Sequence, residues 1–283
     1  MNSLSSLFKA PYNKKYPLFA LTRFIYWKLI RVLKLKEVKY NLWNNRKILL
    51  NYDSFQSMWI MYNYYVDWEE FNLISRFLQP GDEVFDVGAN MGFYTVWMSK
   101  FIGDGKIHSF EPDSKNYERL QKNISLNNLA VFANKKAASN TDGIVGFTSG
   151  LDGENHIVDG GSKNAVMIKS QKIDTYVKDK NIGAIAYMKI DVEGFEYAVL
   201  KGAETMLLKK GIDIIQFEIN QTITNSGKSI NDLLQLIHYY EYTLCSYDVN
   251  KNQLKKEIFS EKRENYFAVK NLYEINIKLK TAI

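Results

Sequence analysis

Between residues 83 and 94 the chain reads Glu-Val-Phe-Asp-Val-Gly-Ala-Asn-Met-Gly-Phe-Tyr. A short apolar run of strand character meets two glycines four apart, and then residues of helical spacing begin. Such a strand–turn–helix junction commits the chain to a layered α/β arrangement, because the helix must fold back over the strand it leaves. Gly88 and Gly92 permit a sharp turn and close approach of a ligand to the backbone. The helix opened by Phe93 points its free N–H groups at that ligand. The spacing is G-x-x-x-G with an acid two residues upstream, which differs from the G-x-G-x-x-G of dinucleotide sites. A pyrophosphate would be repelled by Asp86. A cationic ligand with an amino-acid tail suits it, and S-adenosylmethionine has that character.

The pattern continues regularly after this junction. Strands are predicted over 83–87, 106–110, 131–138, 185–190 and 212–219, with closing strands over 242–247 and 266–269. Helices are predicted over 69–78, 93–101, from Ser114 to about 127, over 197–207 and over 231–240, the last with a capping-box-like Ser229 and Asp232. Strands alternating with helices imply a doubly wound, mostly parallel sheet. Six of the sixteen glycines fall between Gly143 and Gly161. That stretch reads as a long loop or hairpin near the carboxyl edge of the sheet, where such folds bind ligands.

Candidate site residues gather at the predicted strand ends. Glu111 follows the second strand and is placed to accept both hydroxyls of a ribose. Asp191 and Glu193 are two apart at the end of the strand over 185–190, so both can face one pocket; Glu193 can alternatively buttress the helix that follows. Glu218 closes the next strand, as a site carboxylate or as a packing acid. Three histidines are present. His108 and His238 read as structural. His156, in the glycine-rich stretch, reads as a general base, a substrate contact or loop surface. Asp191 and Glu193 compete for the role of base, or supply oxygen ligands for a hard divalent cation.

Four ordered stretches carry a resemblance: Pro80-Gly81-Asp82, the Asp86–Tyr94 run, Phe110-Glu111-Pro112, and Lys189 to Ala203. Over residues 70–220 the chain resembles the FkbM-type family of class I S-adenosylmethionine-dependent methyltransferases. The resemblance implies a Rossmann-like seven-stranded sheet with an antiparallel last strand, and O-methylation, frequently on a sugar or secondary metabolite. It implies that Asp86, Gly88, Asn90, Gly92 and Phe93 form the cofactor loop and that Glu111 binds the ribose. Ala137 falls where adenine is approached, and Asp191 also lies at the cofactor edge. The expected acceptor is a glycan or glycolipid hydroxyl. The alternatives are a small secondary metabolite or an inactive nucleotide-binding module of the same fold.

Charge refines the reading. The net charge of +6 hides a strong asymmetry: residues 1–50 carry eleven Lys/Arg and one acid, while residues 51–250 carry eighteen basic and twenty-six acidic residues. An acidic body, without an Asn/Asp-Pro-Pro-aromatic motif after the strand over 185–190, argues against nucleic acid as substrate. Residues 1–45 read as a basic N-terminal appendage to a domain over 46–283. Within it, residues 17–36 form a basic amphipathic helix. Leu18, Leu21, Ile25, Leu29, Ile30, Val32 and Leu33 fall on one half of the wheel; Arg23, Lys28, Arg31 and Lys34, with Phe24 and Trp27, fall on the other. The helix either docks on the body or touches an anionic membrane. The single cysteine and the lack of a signal-peptide pattern lead one to expect a cytoplasmic protein, peripheral to a membrane if the helix binds one.

Overall fold

The runs at 84–87, 107–110 and 185–190 are mostly apolar without regular alternation, broken by Asp86, His108, Ser109 and Lys189. Strands patterned in this way lie in the middle of a sheet covered on both faces. In the computed structural model, which describes residues 7–8, 11–42, 45–63, 67–148, 155–158 and 165–281, all three are buried and adjacent. In chain order the described elements are α1 (Pro11–Lys15), α2 (Pro17–Val32), β1 (Val38–Asn41), β2 (Lys47–Leu50), α3 (Phe55–Asn63), α4 (Trp68–Phe77), β3 (Glu83–Val87), α5 (Phe93–Met98), β4 (Lys106–Phe110), α6 (Ser114–Leu126), β5 (Val131–Asn134), β6 (Ala137–Ala138), β7 (Gly143–Phe147), β8 (Ile157–Val158) and β9 (Val166–Gln171). There follow α7 (Ile173–Lys180), β10 (Ile185–Ile190), α8 (Glu196–Lys201), α9 (Glu204–Leu208), β11 (Ile212–Glu218), a 3-10 helix over Gln221–Ser226, α10 (Ile230–Tyr239), β12 (Thr243–Asp248), β13 (Gln253–Lys256), β14 (Asn265–Val269) and α11 (Leu272–Thr281).

The main sheet runs β13-β12-β14-β11-β10-β3-β4-β5. Strands β5, β4, β3, β10 and β11 are parallel, and β14 enters antiparallel between β11 and β12. This is the expected doubly wound sheet with one correction. It has eight strands, because β13 pairs antiparallel with β12 and adds an edge. The order places β3 and β10 side by side, although about a hundred residues separate them, with β4 and β11 flanking them. The chain reverses direction across the sheet at β3, and ligands bind at the carboxyl ends beside such a reversal.

Two further expectations are corrected. The strand expected over 131–138 is two: β5 stays in the main sheet, while β6 joins β9 in a second sheet of order β6-β9-β7-β8. The helix expected over 197–207 is broken at Gly202, where a Cβ would lie 2.0 Å from the Ser139 carbonyl oxygen. The carboxylate of Asp174 then accepts the Thr205 and Met206 N–H groups at 2.7 and 3.0 Å and starts α9 afresh. The capping box at Ser229 and Asp232 is present as read.

The orientation of α2 inverts its helical wheel. Its buried residues are Ala20, Arg23, Trp27 and Ile30, so Arg23 and Trp27 of the basic half face inward. The cause lies in the chain end below. The last turn of α3 leaves carbonyls without helical partners. Arg23 Nε donates to Met61 O at 3.1 Å, and Asn13 Nδ2, whose oxygen Arg23 also holds, donates to Tyr62 O at 2.6 Å. A cation at a helix C-terminus is favoured by both hydrogen bonding and the helix dipole. Trp27 and Ile30 thereby join the same core as Phe71 and Trp97.

Candidate active site

The loop from Gly88 to Gly92 is pinned between the ends of β4 and β10. The Gly88 and Ala89 N–H groups both donate to Phe110 O, at 3.0 and 2.9 Å. Gly88 has φ +78°, and a Cβ there would lie 1.8 Å from the backbone oxygen of Asp191. Gly92 has φ +87° and would press on Leu120. Asn90 also takes the left-handed conformation, with its side-chain oxygen accepting from Met91 N. The Asn90 N–H donates to Glu111 Oε2 at 2.7 Å, and the Asp113 N–H donates to Glu111 Oε1 at 2.8 Å. Glu111 is buried at the cleft wall, and burial pushes its carboxyl up to about 8 despite those donors.

The register builds a polar row across the buried face. Ser109, Asp86, Lys189 and Gln216 are successive partners across β4, β3, β10 and β11. Asp86 is fully buried in that row. Its Oδ2 accepts from Thr95 Oγ1 of α5 at 2.6 Å, and its Oδ1 lies 3.9 Å from Lys189 Nζ. Burial raises its pKa, with Lys189 and Thr95 opposing. Asp86 therefore lies beneath the loop and not in the cleft wall. Expected to face the ligand, it instead faces α5, because a strand side chain in this row points into the layer the helix covers. Gly92 is likewise absent from the wall.

On the other side of Gly88, Lys189 Nζ donates to Asp191 Oδ2 at 2.9 Å and sits over the Tyr94 ring, 4.8 Å from its centroid. Burial works against its charge, but Asp191 and Asp86 outweigh burial and hold it above the usual lysine value. A hydrogen-bonded chain runs beside it: Tyr187 hydroxyl to Gln216 Oε1 at 2.7 Å, Gln216 Nε2 to the Tyr94 oxygen at 3.0 Å, and the Tyr94 hydroxyl to Asp67 Oδ2 at 2.6 Å. Glu218, at the end of β11, is pushed up to about 7 by burial and by the charge of Asp191.

The segment from Asp191 to Glu196 is a tight turn. Glu193 has φ +53°, and a Cβ on Gly194 would lie 1.9 Å from Thr222 O. The residue that closes this turn is Glu196, whose Oε1 accepts from the Val192 and Gly194 N–H groups at 3.2 and 3.3 Å. Burial pushes Glu196 up to about 7. Glu193 lines the cleft.

Asp67, Gly88, Asn90, Tyr94, Glu111, Lys189, Asp191, Glu193, Gln216 and Glu218 border one cleft of about 740 Å³, whereas Asp86, Gly92, Tyr187 and Glu196 do not. Phe55, Gln56 and Trp59 of α3 contribute another wall, with the Phe55 and Trp59 rings stacked at 5.9 Å. In the described part of the glycine-rich stretch, read as a loop or hairpin, β7 pairs antiparallel with β8 and with β9. The stretch brings Phe147, Asn155 and His156 to the cleft, the His156 ring stacked on Phe195. The parts of that stretch over 149–154 and 159–164, and residues 64–66 of the aromatic run, lie outside the described residues. Ala137 and Phe93 line the cleft. His108 is buried against Tyr176 and Phe132, and burial lowers its pKa to about 4. His238 is on the exposed side of α10. Among the described residues no group of three or more His, Cys, Asp or Glu is placed to hold a metal ion.

Sequence reasoning missed Lys189, Asp67, Tyr94 and Gln216. Lys189 had a signal, since it stands two residues before Asp191 on a strand end and so shares its face. Asp67 had none, because only the packing of α4 and α5 brings it to Tyr94.

The model of the Methyltransferase FkbM domain matches residues 86–244, more than half of the chain. The chain belongs to the FkbM methyltransferase family. It is an S-adenosylmethionine-dependent methyltransferase, and its sheet is of the Rossmann-like class I type. The chain is 23% identical to the hexuronic acid methyltransferase AglP of Haloferax volcanii, over 58% of this chain and 67% of that protein. It is 27% identical to the 31-O-demethyl-FK506 methyltransferase FkbM of Streptomyces tacrolimicus, over 45% of this chain and 61% of that protein. Among solved structures it is similar to Aeropyrum pernix fibrillarin in complex with S-adenosyl-L-methionine, at 13% identity and a TM-score of 0.40, over 71% of this chain and 73% of that one.

Proposed function

We propose that this FkbM-family protein methylates a hydroxyl of a neutral saccharide. The observation that carries the reading is a single cleft joining Glu111, at the glycine loop, with Glu218, a carboxylate pushed to about 7, beside the Phe55–Trp59 stack. The chain fits the nucleoside end of S-adenosylmethionine. Each Glu111 oxygen holds one backbone N–H and keeps a lone pair for a ribose hydroxyl. Gly88 and Asn90 let the backbone lie along the ligand, while Phe110, Ala137 and Ala138 offer an apolar wall for adenine. When bound, the cofactor supplies an electrophilic methyl on a sulfonium.

The protein must hold the acceptor in line with that methyl and take the hydroxyl proton. Glu218 suits the second task, because a base with a pKa near 7 is available at neutral pH without being too weak. Asp191 is less suited, since Lys189 holds one of its oxygens. Tyr94, fixed by Asp67 and Gln216, and Lys189 shape the floor. Asp67, Asp191, Glu193, Glu218 and Glu264 line the cleft, with Lys189 as the one Lys or Arg among its described lining residues. Carboxylates accept hydrogen bonds from sugar hydroxyls, whereas a uronate would meet like charge. A neutral hexose is therefore expected to react faster than its uronic acid by about tenfold or more in kcat/KM. The 31-O-demethyl-FK506 relative favours a second reading, a hydroxylated small molecule handled by the same side chains.

Activity should rise with pH through about 7 and level above it, as Glu218 loses its proton. Glu218→Gln is expected to lower kcat by about 10²–10⁴ and to flatten that rise. A pH–rate profile of both proteins checks it; an unchanged rise in the variant removes Glu218 from the role.

A further inference from the structure

We propose that the outward side of α2 docks on an anionic membrane surface. With Ala20, Arg23, Trp27 and Ile30 turned into the body, the opposite side of this 16-residue helix presents Leu18, Ile25, Leu29 and Val32. These are 79, 52, 52 and 77% exposed. Their spacing of seven, four and three residues stacks them in one stripe along the helix. Tyr26 and Leu33, both exposed, widen it. Single exposed apolar side chains are ordinary, but a stripe on a docked helix that only Thr22 interrupts marks a surface that something else covers.

Charge selects the occupant. Residues 1–36 contain no Asp or Glu. Lys14, Lys15, Lys28, Arg31, Lys34 and Lys36 are all exposed. Lys14 and Lys15 precede the stripe, Lys34 and Lys36 follow it, and Lys28 and Arg31 run along one flank. An apolar stripe framed by cations, with aromatic rings at its border, matches an interface that is apolar just below an anionic plane. No described helix is long and apolar enough to cross a membrane, so α2 would lie in the plane. Helix α2 packs on α3, whose Phe55, Gln56 and Trp59 line the cleft, so docking would hold the catalytic cleft close to the lipid surface.

The test is co-sedimentation of the full chain with phosphatidylcholine vesicles, with and without phosphatidylglycerol, alongside light scattering without lipid. Binding is expected only to the anionic vesicles, and high salt should weaken it. The variant L18Q/I25Q/L29Q/V32Q should lose about a hundredfold in partitioning, and K28Q/R31Q/K34Q a similar factor, about fivefold per charge. Both should keep the melting temperature and the S-adenosylhomocysteine affinity of the parent. The proposal is overturned if the parent ignores anionic vesicles or if the apolar variant binds them equally well. It is also overturned if the parent is a lipid-free dimer that the apolar variant turns into a monomer, because a second copy then covers the stripe.

Discussion

Gly88→Ala is expected to destabilise the protein by at least about 4 kcal/mol and to lower the melting temperature by about 10 °C. The added Cβ would lie 1.8 Å from Asp191 O and 2.8 Å from the Asp191 carbonyl carbon. Both are backbone atoms of the chain leaving β10, so no side chain can rotate away. The position also has φ +78°, where a Cβ is strained in open space. Relief would require prising apart the ends of β3 and β10, where Asp191 N donates to Val87 O at 3.0 Å. Gly81→Ala supplies the control. Its φ is +91°, but a Cβ there meets nothing within 4 Å. It should cost only the backbone term, about 1–2 kcal/mol. Thermal melts of the two variants separate close packing from backbone strain, and equal shifts would contradict the packing argument.

Glu111→Ala is expected to weaken S-adenosylhomocysteine binding by about 10–10², since two hydrogen bonds of about 0.5–1.5 kcal/mol each are lost. The variant also leaves the Asn90 and Asp113 N–H groups without their acceptor, which loosens the glycine loop. His156→Ala, on the hairpin, should leave the cofactor affinity within about threefold, a difference of under 1 kcal/mol. Calorimetric titration of both variants checks the contrast. In the parent, ligand at a hundred times its dissociation constant should add about 2.7 kcal/mol of stability, and in Glu111→Ala the same concentration should add about half of that or less. Equal losses in the two variants would reject Glu111 as the ribose acid.

The centre of the fold was legible because both of its faces are covered. Val84, Phe85, Ile107 and the run from Ile185 to Ile190 need no alternation, and short apolar runs bounded by glycine turns read as buried parallel strands. The periphery was harder for local reasons. The edge strand β13 is Gln-Leu-Lys-Lys, with a single buried side chain, Leu254. The strand β6 is two residues long and exists only through its pairing with β9. In α2 the helical wheel sorted residues by hydropathy, but Arg23 had carbonyls to satisfy at the end of α3, and that need outweighed its preference for water. No periodicity rule contains that partner.

The candidate site divides in the same way. Residues at strand ends, such as Glu111, Asp191 and Glu218, were visible because strand ends converge at the reversal of chain order. Asp86 was visible but pointed the wrong way, since its orientation depends on Thr95 of α5. The chain from Tyr187 through Gln216 and Tyr94 to Asp67 joins four separate stretches, and only the assembled sheet and its covering helices bring them into contact.

The most direct test of the whole account is transfer of labelled methyl from S-adenosylmethionine to a panel of neutral glycans, their uronic acid counterparts and hydroxylated small molecules, with the product bond identified by mass spectrometry and NMR. The account predicts a methyl ether on a sugar hydroxyl, formed faster on neutral acceptors than on uronates and largely lost in Glu218→Gln. Label on nitrogen or carbon, or transfer that Glu218→Gln leaves unchanged, would contradict it.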